Sequence, residues 1–200
     1  MRMKSDVPKQ FLPIDGIPII VLSIRKFFAY DQNVEVIVVL PETHIKQWEA
    51  MQFQYFPDAN IKVTTGGITR SASVLSGLGL IQGDGLVAIH DAVRPFVSID
   101  TIRDSFDAAE KYGSGVAVVE LKDSIRELEG NVSIGRDRSN YVLVQTPQTF
   151  DVKRLKDAYK KAGVGVFTDD ASVFEVAGNV VNLVNGSYQN IKITTPEDLK

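Results

Sequence analysis

The chain has 200 residues, 44% of them hydrophobic and 24% charged, which suits a soluble globular domain large enough to bury a core of its own. A net charge of −3 with no Lys/Arg-rich run argues against a nucleic-acid footprint, and the absence of cysteine excludes a disulfide framework and any thiolate metal site. Only His44 and His90 could serve a His-rich metal site, no apolar stretch reaches membrane-spanning length, and no signal-peptide pattern opens the chain, so the expectation is a cytoplasmic protein that binds neither nucleic acid nor membrane.

In chain order, the first feature is a basic pair. Arg2 and Lys9 lie in the opening segment, with Pro8 directly before the lysine. Pro8 restricts the backbone ahead of Lys9 and favours a fixed phosphate-holding loop; a solvated surface is the plainer alternative. A helix is expected over 18–30, started by Pro18 and carrying Ile20, Ile24, Phe27 and Phe28 on one side. The continuous apolar runs at 34–40 and 86–89, and a similar one at 115–119, read as strands buried on both faces. Between them, 61–65 reads as a strand and 68–81 and 98–112 as helices, the last with Ser98 as its cap. Strands alternating with helices predict an α/β fold with a mostly parallel, doubly wound sheet.

The pattern changes at Glu120. Short strand candidates at 124–128, 132–134 and 141–144 surround the turn signal Glu129-Gly130-Asn131, so 120–147 reads as a hairpin arm projecting from the domain. Helices are expected again at 152–162 and 169–177, and final strands at 180–184 and 191–193. Thr195-Pro196-Glu197-Asp198 has the order of a helix start: cap, proline, then acids in the first turn.

Ligands of open α/β sheets bind beyond the carboxyl ends of the strands, and candidate groups fall there. Gly66-Gly67 followed by Thr69, Arg70 and Ser73 links a strand to a helix N-terminus. Such a link lets a ligand approach the backbone, or is an ordinary turn with a cap. His90-Asp91-Ala92-Val93-Arg94-Pro95 follows the 86–89 strand. There Asp91 could meet a metal or a sugar hydroxyl and Arg94 could grip a phosphate, while His90 reads as a packed structural residue. Asp123-Ser124, Asp137-Arg138, Thr146-Pro147-Gln148, Thr168-Asp169-Asp170 and Asn190-Ile191-Lys192 are weaker candidates. Asp169 and Asp170 could merely cap a helix, and strand alternation would put Lys192 on a solvent face.

Taken together, Arg2-Met3 with Pro8-Lys9-Gln10, Gly66-Gly67 with Arg70 and Ser73-Val74, the 90–95 segment, Thr146-Pro147-Gln148, Thr168-Asp169-Asp170-Ala171-Ser172 and Asn190-Ile191-Lys192-Ile193-Thr194 resemble the 2-C-methyl-D-erythritol 4-phosphate cytidylyltransferases of the non-mevalonate isoprenoid pathway. The resemblance runs along nearly the whole chain. It implies a single domain with a Rossmann-like nucleotidyltransferase fold, a homodimer joined through the 120–147 arm, and transfer of CMP from CTP to methylerythritol phosphate with Mg²⁺ on the triphosphate. It further implies that Arg2, Lys9 and Lys192 face the CTP phosphates as the catalytic cations. Gly67 and Ser73 would read the cytosine, and Asp91 and Ala92 would lie by the ribose and the reacting centre, with Asp91 the one protein group that could touch the metal. Arg94, Ser124, Arg138 and Thr146 would hold the alcohol phosphate, the arm residues reaching into the partner subunit's site. Ser124 stands where many members carry threonine and keeps the hydroxyl.

Members of that family carry a strand and a Gly-rich loop of the type Ala-Gly-Gly-x-Gly-x immediately before the Arg2-Met3 pair. The expectation is therefore that this sequence is truncated or numbered from an internal methionine. Two other readings compete: a ribitol 5-phosphate cytidylyltransferase, which shares the CTP motifs, and a non-catalytic nucleotide-binding module.

Overall fold

The computed structural model describes residues 7–163 and 167–199. Two short strands, β1 (Pro13–Ile14) and β2 (Ile17–Pro18), form a tight ribbon that delivers the chain into helix α1 (Ile19–Tyr30). Asp15 and Gly16, both at positive φ, make the turn between them. Pro18 is the last ribbon residue and the cap of α1, not its first helical residue. Then follow β3 (Val36–Leu40), α2 (Ile45–Tyr55), β4 (Ile61–Thr65), α3 (Arg70–Gly79), β5 (Leu86–Ile89), α4 (Ile99–Tyr112) and β6 (Ser114–Glu120). The arm is β7 (Ile125–Glu129) and β8 (Val132–Arg136); β9 (Val142–Asp151), α5 (Val152–Ala162), α6 (Asp170–Val176) and β10 (Leu183–Asn185) complete the order.

Local chemistry sets the helix ends. Thr69 Oγ1 accepts from Ala72 N–H and starts α3, Ser98 does the same for α4 through Thr101 N–H, and Asp151 for α5 through Arg154 N–H. Gly113 ends α4 in the left-handed conformation that a side chain disfavours.

The principal sheet runs β10-β6-β9-β5, and β3 pairs with β4 separately. The expectation of a mostly parallel sheet is refined. The pairs β3–β4 and β10–β6 are parallel, whereas β9 is antiparallel to both β5 and β6. The reason lies in connectivity. A strand that returns from a hairpin arm comes back antiparallel, whereas parallel pairing requires a crossover. Residues 141–144 are accordingly not a short arm strand: from Val142 onward they open a ten-residue strand of the central sheet. The arm itself turns at Gly130-Asn131, with Glu129 opposite Val132 and Gly130 at positive φ.

The expected strand at 191–193 does not form. Ile193 N–H bonds Val93 C=O and its side chain packs with Ile19 and Val93, so the segment is pinned by one backbone bond and a buried side chain instead of a ladder. The last helical turn is a 3₁₀ segment, Pro196–Leu199, whose Asp198 accepts from Thr194 and Thr195 N–H.

Apolar side chains gather on both sides of the gap between the sheets. Trp48, Phe56, Phe11, Ile20 and Ile24 pack against β3 and β4, while Phe150, Phe174, Leu155 and Tyr159 pack against β6 and β9. Between the β3–β4 pair and β5 lies a cavity of about 500 Å³, walled by α1 and α3 and by residues 34–39 and 86–92. The carboxyl end of β5 opens onto it, with Asp91 and Ala92 in its wall.

Candidate active site

Asp91 is the centre. It lies two residues past the end of β5, and its carboxylate lies between Arg94, three residues on, and the distant Lys192. Arg94 Nε donates to Asp91 Oδ2 at 3.0 Å, and Lys192 Nζ stands 3.2 Å from the carboxylate oxygens. Burial alone would raise the Asp91 pKa, but Lys192 and Arg94 outweigh it and hold the carboxyl below its ordinary range. Asp91 therefore stays ionised at neutral pH. Arg94 is further fixed by donating from Nη1 to Asn190 C=O at 2.7 Å. Asn190 is fully buried and donates from Nδ2 to Thr146 C=O and Gln145 Oε1, so the segment that carries Lys192 is anchored to β9.

A bulge in β9 supplies the second layer. Register with β6 shifts between Val116 and Val118, which leaves residues 145–147 out of the regular ladder. Thr146 Oγ1 accepts from Asp91 N–H at 3.0 Å and lies 3.1 Å from His90 Nδ1. His90 Nε2 is 3.1 Å from Arg94 C=O, an acceptor, so Nε2 carries the proton and Nδ1 accepts from the threonine hydroxyl. Burial lowers the His90 pKa to about 4, and Phe27 packs edge-on to its ring at 5.1 Å. His90 is thus a neutral scaffold residue at pH 7, as the sequence reading holds. Thr146 is buried with its proton committed to His90, which leaves a single lone pair for any ligand.

The Gly66-Gly67 loop enters from β4. A Cβ on Gly67 would stand 2.4 Å from Ala72 Cβ, so only glycine allows the loop to sit on the first turn of α3. Ser73 Oγ donates to Thr69 C=O at 3.0 Å and approaches Gly67 C=O at 3.3 Å, tying the loop to the helix. Ser73, Asp91 and Ala92 line the same cavity, so these three expected nucleotide residues are brought together. Ala92 is held through its carbonyl by Ser23 Oγ at 3.0 Å.

Of the remaining candidates, Lys9 opens a short 3₁₀ turn ending at Phe11, which is buried in the core and fixes the turn's position. Arg2 lies outside the described residues. Ser124 and Arg138 belong to the arm: both are exposed, and Arg138 Nη1 donates to Lys122 C=O at its base. Among the described residues, no hydrogen bond or ion pair joins either to the Asp91 cluster.

The sequence reading did not identify the polar network behind the site. Gln148 Oε1 accepts from Asp170 and Ala171 N–H, and Gln148 Nε2 donates to Asp169 Oδ2. Asp169 caps α6 through Ser172 N–H. Asp170 does something else: fully buried, it accepts from Tyr159 O–H at 2.5 Å and is ion-paired with Arg70. The signal in the sequence was the doubled acid itself, of which a single cap needs one.

As for metal, no group of three or more His, Cys, Asp or Glu side chains among the described residues could cage an ion. The donors fit an Mg²⁺ carried by a polyphosphate and touched by the single carboxylate of Asp91.

Comparison with known proteins identifies the family. A sequence model of the 2-C-methyl-D-erythritol 4-phosphate cytidylyltransferase family, IspD, matches residues 1–200. The enzyme of that name from Bacteroides thetaiotaomicron is 43% identical over 200 residues, covering 100% of this chain and 91% of the relative. That from Bacillus cereus is 39% identical over 201 residues, covering 99% and 89%. Among solved structures, 4-diphosphocytidyl-2C-methyl-D-erythritol synthase from Anaerococcus prevotii superposes with a TM-score of 0.86 at 28% identity, over 95% of this chain and 89% of the other. The 2-C-methyl-D-erythritol 4-phosphate cytidylyltransferase of Thermus thermophilus gives 0.76 at 32% identity, over 96% and 90%. With its whole length matched, the chain belongs to the 2-C-methyl-D-erythritol 4-phosphate cytidylyltransferase family.

Proposed function

We propose that this chain performs its family's reaction with the Asp91 cluster at the centre of the site. CMP passes from CTP to 2-C-methyl-D-erythritol 4-phosphate, giving 4-diphosphocytidyl-2-C-methyl-D-erythritol and pyrophosphate. The observation that carries the reading is the meeting of Arg94 and Lys192 on Asp91, which lines a cavity together with Ser73 and Ala92.

The nucleophile is a phosphate oxygen of the alcohol phosphate. Its second pKa is about 6, so it is largely dianionic at neutral pH and needs no strong general base. That suits a site whose histidine is neutral and turned into the scaffold. The difficulty is electrostatic: two anions must meet, and charge builds on the transferring phosphoryl group and the leaving pyrophosphate. Lys192 and Lys9, with Arg2, oppose that charge, and Asp91 keeps Lys192 aimed. When bound with CTP, Mg²⁺ neutralises triphosphate charge, and Asp91 is the residue that would hold it. The tight seat of Gly67 on α3 presents backbone and the Ser73 hydroxyl to the base, while Arg94 takes the alcohol phosphate.

A homodimer completes the site. Leu128 and Val132 on the arm, and Tyr141 to Val144 at its root, are apolar and exposed, which favours burial against a second copy. Ser124 and Arg138 sit on that arm and would serve the partner subunit's site. No helix among the described residues is long and apolar enough to cross a membrane.

The test is pyrophosphate release from CTP with methylerythritol phosphate and, separately, with ribitol 5-phosphate. Faster turnover of methylerythritol phosphate is expected. Preference for ribitol phosphate would reassign the polyol pocket, and no release with either would leave a binding module.

A further inference from the structure

The ion pair between Arg70 and Asp170 is costly by every local rule. Asp170 has no solvent exposure, and desolvating a carboxylate costs several kcal/mol before pairing repays any of it. Arg70 is the first residue of α3, where a cation opposes the helix dipole. One Arg70 nitrogen, Nη1, is buried with no partner. A buried pair of this kind is weak evidence for stability, and its value lies in fixing geometry.

What it fixes can be traced. Arg70 opens the first turn of α3, and Gly67 and Gly66 lie against Ala72 and Ser73 of that same turn. Burial and the Asp170 carboxylate raise the Tyr159 pKa, so the phenol remains protonated and donates to Asp170. Gln148 clasps the backbone of Asp170 and Ala171 while pairing with Ile89 of β5, two residues before Asp91. Arg70 and Ser73 line the cavity together with Asp91. A rigid chain of polar contacts therefore runs from the glycine loop through Arg70, Asp170 and Gln148 to the strand that carries the phosphate-facing cluster.

We propose that Asp170, supported by Tyr159, is a positioning residue for nucleotide recognition: it holds Arg70, and with it the Gly66-Gly67 loop, in register with Asp91. The proposal rests on the cytidylyltransferase reading. It assigns CTP affinity, and not merely fold stability, to a carboxylate that does not reach the cavity. Loss of the ion pair lets the first turn of α3 shift, and a loop seated on it at contact distance must follow.

The experiment measures CTP binding by calorimetry and steady-state KM and kcat for wild type, Arg70→Lys, Asp170→Asn, the double variant, and Tyr159→Phe. Expected are a rise of about tenfold in the CTP Kd and KM for each Arg70 and Asp170 single variant, with KM for the alcohol phosphate within about twofold of wild type. The double variant should be no worse than the weaker single, because the two residues act as one unit. Tyr159→Phe, which keeps the charge pair, should give a smaller loss in the same direction and serves if Asp170→Asn does not fold. Variants that melt at lower temperature yet bind CTP as wild type does would overturn the positioning role, as would additive losses in the double variant. Wild-type protein that binds no CTP would instead overturn the cytidylyltransferase reading itself, and the inference with it.

Discussion

Lys192 and Asp91 are separated by 101 residues and meet at 3.2 Å, with Lys192 nearly half-exposed at 43% and Asp91 at 22%. A pair this open to solvent contributes little to folding. Its value is in holding an ammonium group beside Asp91, which lines the cavity, without letting it swing free. Lys192→Ala should therefore leave the melting temperature within a degree or two and lower kcat about a hundredfold, as loss of a preorganised charge does. Asp91→Asn should reduce kcat comparably but also destabilise the fold, since Arg94 then loses its carboxylate. Thermal melts beside steady-state kinetics separate the two. Equal melting losses would show that Lys192 is structural.

His90 gives the stability curve a definite shape. Its folded pKa is about 4 against an ordinary 6.5, so between those values the unfolded chain binds a proton that the folded chain refuses. The contribution is fully present above pH 6.5 and is lost as pH falls toward 4. Its ceiling is about 3 kcal/mol, from 1.36 kcal/mol per pKa unit, and part of the ring faces the cavity, which lowers it. Denaturant titrations of wild type and His90→Gln from pH 7.5 to 4 should show the wild type losing stability more steeply below pH 6.5. Parallel curves would mean that His90 is protonated in the folded protein.

Gly67 gives a test of the proposed base-binding loop. Alanine there would place its Cβ 2.4 Å from Ala72 Cβ, so the loop must lift from α3. The loop is exposed, and the fold should survive with a loss near 1 kcal/mol. The KM for CTP should rise by about tenfold or more with kcat less affected, as the proposed binding role of the loop requires. A wild-type KM would remove Gly67 from the nucleotide site.

Much of this was legible in the sequence where chemistry is local. The 61–65, 86–89 and 152–162 elements appear with their expected bounds; a continuous apolar run marks 86–89 and the Asp151 cap marks the start of 152–162. The His90–Pro95 segment was legible because it directly follows a strand. The site's long-range pairs were not. Lys192 read as a solvent-facing strand residue, yet its segment is held by Asn190 and Ile193 and is no strand. Asp170 read as a possible cap, yet Asp169 alone caps α6 and Asp170 turns inward to an arginine 100 residues away. The start of β9 reads as a short arm strand, because its direction and length depend on the arm's return and not on its own residues. Local pattern gives an element's type; partner and direction come from tertiary placement.

The arm supports the sharpest prediction about assembly. If each site combines Lys192 of one protomer with the partner subunit's Arg138, then Lys192→Ala and Arg138→Ala should each be nearly inactive alone. Mixed under conditions that allow subunit exchange, they should form a heterodimer in which one site carries both defects and the other carries neither. Random exchange makes about half the dimers mixed, with one intact site of two, so activity should recover to about a quarter of wild type. Recovery should also require the arm's apolar contacts: a Leu128→Glu, Val132→Glu chain should sediment as a monomer and fail to complement. Activity that stays at the level of the separate variants after verified exchange would place Arg138 in its own protomer's site or outside the site altogether. Full activity of Arg138→Ala alone would remove the arm from substrate binding and leave it, at most, a dimerisation element.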